Sequence, residues 1–528
     1  MKRTGYLFLL MAVLMASFSS CKKDITTKEL TNALPKTSAF VIQLDVKSLL
    51  NKSEFKPAEN AIIAEALENA KANDSQAAMI KTVESLIKDP NSSGVSILDD
   101  AFLYVDGKVY GALLKVNDKN KLKETLVKGF DVPESLLLEQ DGIVSIDVEE
   151  TTNVSWSENA LLILGKQSRY DDANLKELAI KQLKQGAGES INENKTFGEF
   201  LSNKKDISVF YSYENLYPFI KEHGGAGFSG NPFMALYDEM FRKFSGISVG
   251  GFVSFEKGEI RVEQKYLYRD AEAKKMLENI YDKMYNDING AHLGYIAENP
   301  LMAFSTGLKG AGVYDYIAEL GLLNDYEGIA NQGLSSMGTN LKELISNLEG
   351  DFSFAIHSMP EQQGYVNIPN FSAFIDTKDI DKMWPLIKTS LGGMAKELKT
   401  DNYLFDMGAV KMYFGAKDKT LFFTTVEDVY KNIDGSKSVG NLRAKAKGET
   451  VFLSGNLAPL TPFLLKEMRY ASAIEKDFAS KGLALIGDIT FVVDKKGGKG
   501  VVKITKDDKN SLAVITQYVT DLASSLNR

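Results

Sequence analysis

Apolar residues along the chain switch between a period of two and a period near 3.6, so strands alternate with amphipathic helices. One unit recurs, a hairpin followed by a helix with Asp or Asn at its start. Residues 102–105 and 108–114 flank Asp106-Gly107, which suits a two-residue hairpin turn, and Asn117 is placed to cap a helix from Lys119. A second copy runs over 249–256, turns at Lys257-Gly258, returns over 260–268 and caps at Asp270. A third pairs 352–358 with 371–375 around a loop through Pro360 and Gly364, with Asp376 as cap. The fourth pairs 489–493 with 500–504 around Lys496-Gly497-Gly498, with Asp507 or Asp508 as cap.

A second unit, one strand leading directly into a helix, precedes each hairpin at 39–46, 207–213, 302–306 and 450–454. Two of its copies agree in letters, since Val209-Phe210-Tyr211-Ser212 matches Val451-Phe452-Leu453-Ser454, and Pro218-Phe219-Ile220 matches Pro462-Phe463-Leu464. The strand pair 142–148 and 160–165 returns as 409–415 and 420–425. The pattern predicts an α+β fold in two tandemly duplicated halves, at 37–292 and 293–528, each a mainly antiparallel sheet with helices on one face. The helices at Ile62 to Ala70 and Met79 to Ile87 carry apolar residues at helical spacing, and Pro90 ends the second.

The first residues have a different logic. Lys2 and Arg3 precede an apolar run over 6–16, and Ser19-Ser20 lead to Cys21. The run is about a dozen residues, short of the ~20 that cross a bilayer, and has the layout of a secretory leader. The segment Phe18-Ser19-Ser20-Cys21 resembles a lipobox, with Phe18 where Leu, Val or Ile is usual. Cleavage between Ser20 and Cys21 with lipid on Cys21 is the expectation, which makes 1–20 the leader and 21–36 a lipidated polar tether reaching about 50 Å if extended. Cys21 is the single cysteine, so no internal disulfide forms. Lys22 follows it where an aspartate would hold a lipoprotein at the inner membrane, which favours the outer membrane and leaves its face open.

At 528 residues with 44% hydrophobic and 25% charged content, the chain is long enough for more than one core and ordinary for a globular protein. Net charge is −8, falling to −10 when Lys2 and Arg3 leave with the leader, and no basic run offsets it. Nucleic acid is therefore not an expected partner.

The chemistry is sparse. His223, His292 and His357 stand apart without metal-ligand spacing, no G-x-S-x-G elbow poses a nucleophile, and no catalytic, metal or cofactor residue is assigned. Gly225-Ala226-Gly227-Phe228-Ser229-Gly230 fits G-x-G-x-x-G but follows a helix, whereas dinucleotide binding needs a preceding strand. It suits a connector or contact loop carrying Phe228 and Phe233. The carboxylate pairs Asp99-Asp100, Glu149-Glu150 and Asp507-Asp508 are neighbours that point to opposite sides of a strand, which fits turn and cap duty better than acid-base work. Phe210, Tyr211, Tyr213, Tyr217 and Phe219, with Trp156 and Trp384, read as core residues before sugar platforms.

Residues 33–55 resemble the opening of a family of Bacteroidota lipoproteins known as a domain of unknown function. The likeness lies in Leu34-Pro35, the apolar strand 40–44, Asp45, and the helix start Lys47-Ser48-Leu49-Leu50. It brings no catalytic residues and implies a place in the cell envelope. Two functions fit these observations. The first is an envelope lipoprotein that binds a protein or extracellular ligand without catalysis. The alternative is a carboxylate-based hydrolase acting on envelope or extracellular polymers.

Overall fold

The structure is a computed structural model that describes residues 26–71, 77–223, 234–296, 299–323, 326–359, 368–406, 408 and 410–526. Cys21 and Ser20, the 225–230 loop with Phe228 and Phe233, and the loop through Pro360 and Gly364 lie outside them. The described strands number 21 and join one sheet, every pairing antiparallel.

In chain order the strands are β1 (Phe40–Asp45), β2 (Asp100–Asp106), β3 (Val109–Lys115), β4 (Leu138–Gln140), β5 (Ile143–Glu149), β6 (Thr152–Trp156) and β7 (Ala160–Lys166). Then come β8 (Ile207–Ser212), β9 (Ile247–Glu256), β10 (Glu259–Tyr268), β11 (Tyr285–Asn286), β12 (Met302–Lys309), β13 (Leu348–Ser358) and β14 (Asn370–Thr377). The last are β15 (Lys396–Lys399), β16 (Asn402–Asp406), β17 (Lys411–Lys417), β18 (Thr420–Thr424), β19 (Val451–Asn456), β20 (Ile486–Asp494) and β21 (Gly497–Ile504).

The sheet is continuous through a seam where β10 pairs with β21, from Glu259 opposite Lys503 to Lys265 opposite Gly497. Outward from β10 lie β9, β8, β1, β2, β3, β7, β6, β5 and β4. Outward from β21 lie β20, β19, β12, β13, β14, β18, β17, β16 and β15, with β11 beside the far end of β12.

Helices cover both faces, which corrects the one-face expectation. On β10, Leu267 enters the core with Phe200 and Phe252, while its neighbours Tyr266 and Tyr268 pack on Ala273 and Leu277 of the helix Ala271–Met284. Successive strand residues point to opposite faces, so both are roofed.

Two of these helices cross the seam. The helix Ala271–Met284 follows β10 and packs on the helix Gly310–Glu319, which follows β12. The helix Ser511–Leu526 follows β21 and packs on the helix Val46–Ser53, which follows β1. Each side of the seam is thus roofed in part by a helix from the other.

The cores follow the alternation. One gathers Val41, Phe102, Leu113, Leu162, Leu164 and Phe210 beneath Phe197 and Phe200 of the helix Lys195–Ser202. Another gathers Ala303, Ala355, Phe374, Phe422 and Phe452 beneath Val429 and Ile433 of the helix Glu427–Asp434. Each buried Phe contributes about 1.5 to 3 kcal/mol of transfer free energy, so stability needs no disulfide. Trp156 and Trp384 are buried as expected.

The tether is shorter than the polarity of 21–36 suggests. Thr26 and Glu29 form a capping box on the helix Thr27–Leu30, and Leu30, Ala33 and Leu34 are buried in the first core. Leu30, Ala33 and Leu34 are spaced to reach one core through a short helical turn, a signal too brief for periodicity to register.

Candidate functional site

Histidine and carboxylates meet at one place among the described residues. Inward-facing positions of β13 and β14 alternate as 351, 353, 355 and 372, 374, 376, and two of those six are Asp. Gly350 sits at φ +116, a conformation that suits glycine, in a bulge between Leu348 and Phe352. A Cβ there would lie 2.6 Å from the Asp376 carboxylate, so the missing side chain is what lets that carboxylate turn in.

Asp376 accepts from Thr420 Oγ1 at 2.7 Å and from the Asp351 backbone N–H at 3.2 Å, and it pairs with His292 Nε2 at 2.9 Å. Lys419 Nζ stands 3.2 Å away. Asp351 accepts from the backbone N–H groups of Asn289 and Gly290 at 3.0 and 2.7 Å. The His292 ring lies flat on Phe374, 5.4 Å between centroids. A cavity of about 190 Å³ opens beside them, with Tyr295, Lys417 and Asp418 in its wall.

Burial pushes the Asp376 carboxyl up, but the bond to His292, with Thr420 and Lys419, outweighs it and holds the group at about 2. Asp376 is therefore a permanent anion at neutral pH. Thr420 donates to a carboxylate held at about 2, too weak a base to activate a hydroxyl as a nucleophile. The arrangement staples the 288–296 segment to the sheet. Asp376 does not cap the next helix as expected; Asp379 does, accepting from Lys382 N–H at 3.3 Å.

The other histidines are separate. His223 Nδ1 lies 2.9 Å from Phe219 O and its ring stacks on Phe219 at a helix end. His357 Nε2 bonds Ser372 Oγ at 2.8 Å, which bonds Thr424 Oγ1 at 2.7 Å, and burial pushes the imidazole down to about 4. Phe210 lies in the core, as its stretch of aromatics suggested, and Phe40 packs on Tyr211 and Phe219. The convergence of His292, Asp351 and Asp376 escaped the sequence reading. The available signal was aspartate recurring on the apolar parity of two strands.

A second feature lies where the helix Ala271–Met284 crosses onto the helix Gly310–Glu319. A groove of about 430 Å³ has Met276, Ile280 and Tyr316 along it and Lys243, Lys283 and Glu319 at its margin. Glu319 accepts from Lys243 Nζ at 2.8 Å, and Lys283 Nζ is 3.7 Å away. The bond from Lys243 holds the Glu319 carboxyl below its usual range.

A family model described as a domain of unknown function (DUF4836) matches residues 30–510. The chain belongs to the DUF4836 family. The match spans both sides of the seam, so the DUF4836 unit is the whole continuous sheet and not one side of it. Among curated proteins none matches. A solved structure titled "Structure of crystal form IV of TP0453" is similar over 45% of this chain and 80% of that one, at 6% identity and a TM-score of 0.20. Likeness at that level carries nothing over to the DUF4836 chain.

Proposed function

We propose that this DUF4836 protein is a Bacteroidota outer-membrane lipoprotein, lipidated at Cys21, that binds a protein or extracellular ligand without catalysis. Its body is two tandem copies of one plan, at 37–292 and 293–528. The matching strand orders on the two sides of the seam support that duplication: strand for strand, β1, β2, β3, β7 and β8 correspond to β12, β13, β14, β18 and β19.

The observation that carries the binding reading is the groove between Met276 and Tyr316, which lies between a helix of one copy and a helix of the other. An apolar floor with a charged margin is the anatomy of a recognition surface. With residues 26–36 folded onto the body, the distance that the chain can span between Cys21 and Thr26 is at most about 20 Å. The body is held close to the lipid.

A Cys21→Ser chain should lose acyl labelling and leave the membrane fraction, and continued labelling would refute the anchor. Photocrosslinkers placed at Asn279 and Tyr316 in living cells should capture a discrete partner that probes placed at Glu65 miss. Equal capture at both positions would overturn the seam as the binding surface.

The hydrolase alternative draws on the approach of Asp351 and Asp376 to one cavity. Polymer hydrolysis by a carboxylate pair needs one carboxyl pushed up to act as acid. Here Asp376 is pushed down and Asp351 is occupied by two loop amides, which supports the non-catalytic reading.

A further inference from the structure

A third cavity, of about 400 Å³, belongs wholly to the N-terminal side of the seam and is distinct from the groove and from the His292 cluster. It opens at the strand ends where Lys36, Ser212, Ser248 and Arg269 come together beside the start of the helix Lys195–Ser202. Its volume lies in the range of small-molecule sites and exceeds what a bare inorganic ion fills.

The floor is made of buried hydroxyls. Thr196, Ser212 and Ser248 are only 2%, 3% and 3% exposed. Thr196 Oγ1 lies 2.8 Å from Ser248 Oγ and 2.7 Å from Asn194 Oδ1, so these three groups satisfy one another. Ser212 Oγ accepts from the Asn215 N–H at 3.2 Å, and among the described residues its own proton has no acceptor. A buried hydroxyl has one donor to place, and this one borders the cavity.

The rim adds donors. Lys195 has no acidic partner among the described residues. Arg269 touches its acids loosely, with Nη1 3.9 Å from Glu214 and Nε 3.3 Å from Asp270, which leaves guanidinium N–H groups to spend. Gly246 lies against it: a Cβ there would come within 3.4 Å of Arg269 Nη2 and 2.9 Å of the Ala273 Cβ. Of the two wall carboxylates, Glu193 is engaged with Lys36 at 2.5 Å, while Glu214 only approaches Arg269.

Three cationic side chains, Lys36, Lys195 and Arg269, therefore face two carboxylates, Glu193 and Glu214, around one pocket in an otherwise acidic protein. The ligand that balances this is small, anionic and rich in acceptors. We propose that this cavity binds a phosphorylated small molecule, with the phosphate taken by Arg269, Lys195 and the Ser212 hydroxyl and the organic part in the remaining space. Arg269 supplies the fork that matches two phosphate oxygens, and Lys195 a point charge.

The test is calorimetric titration of the full-length chain with glucose 6-phosphate, inorganic phosphate, glucose and glucuronate at matched ionic strength. Glucose 6-phosphate should bind saturably, one per chain, and more tightly than inorganic phosphate, while glucose gives no heat. The Lys195→Ala, Arg269→Ala double variant should lose tenfold or more in affinity, Ser212→Ala several-fold, and Arg269→Lys an intermediate amount. Each variant's melting temperature without ligand shows that it is folded. Absence of saturable binding at millimolar phosphate or glucose 6-phosphate would overturn the proposal, as would an unaltered affinity in the folded double variant. Glucuronate binding as tightly as glucose 6-phosphate would overturn the assignment of phosphate. None of these outcomes bears on the seam groove, which lies elsewhere.

Discussion

Across β1, β2, β3 and β7, one row of paired residues reads Gln43, Phe102, Leu113 and Leu162. Across β12, β13, β14 and β18, the row in the same place of the strand order reads Gly307, Asp351, Asp376 and Thr420. Asp351 and Asp376 meet through the bulge by a backbone bond instead of a direct pairing. The segments packed on the two rows differ in step. Leu30 and Leu34 enter the first core, while His292 and Ile296 hold the corresponding places in the second. Beyond Gln43, whose Nε2 donates to Asp100 at 3.0 Å, the first row is held by removal of hydrocarbon from water, which tolerates small slips. The other is held by directional bonds, each of which fails if its partner is moved. The same backbone plan accepts either, provided that the charged version is fully paired.

The comparison can be broken from either side. Phe102→Ala empties a fully buried ring site and should cost about 4 kcal/mol in urea unfolding, by an amount that is the same at pH 7 and pH 3. A strongly pH-dependent cost would contradict the dry account of that row. Asp376→Ala strands His292, Thr420 and a backbone donor, and should cost about 3 kcal/mol at pH 7. Its carboxyl titrates at about 2 when folded, against an ordinary value of 3.8. The stabilisation it brings is therefore complete above the ordinary value and is lost as pH falls through about 2, so the cost of the substitution should shrink by about 1 to 2 kcal/mol on acidification. A cost that is flat with pH would remove Asp376 from the role of buried anion. A further effect concerns His357, which takes a proton at about 4 when folded and near 6.5 when unfolded. Unfolding is thus favoured as pH drops from 6.5 towards 4, by about 2 to 3 kcal/mol in total. His357→Gln should flatten that part of the stability profile, and an unchanged slope would assign it to other groups.

Much of the sheet could be read from the chain because its turns carry chemistry. Asp106-Gly107 and Lys257-Gly258 sit where the hairpins turn, with Gly107 and Gly258 at positive φ, and Asp270 caps its helix through the Ala273 N–H. The fourth hairpin turns earlier than 496–498 because β21 begins at Gly497, three residues before the expected start at Gly500. Asp118, not Asn117, caps the helix at Lys119, and Asn510, not Asp507 or Asp508, bonds the Leu512 N–H at the start of the last helix. In each case several side chains of similar chemistry stood within three residues, and backbone geometry chose among them. The strands β4, β6, β15 and β16 were illegible for another reason. They are three to five residues long, and β4 and β15 are exposed along their length, so no alternation marks them. The His292 cluster depends on residues 84 positions apart, and only the register of two strands brings them together.

The crossing of the two helices over the seam sets an order of events during synthesis. The helix Val46–Ser53 is among the first parts of the body to be made, yet the helix Ser511–Leu526 that covers it is made after every strand of the sheet. A nascent chain cannot close its first layer until almost everything else has been translated. Vectorial folding from the N-terminus is thereby held open, and closure of the first layer waits on the last helix.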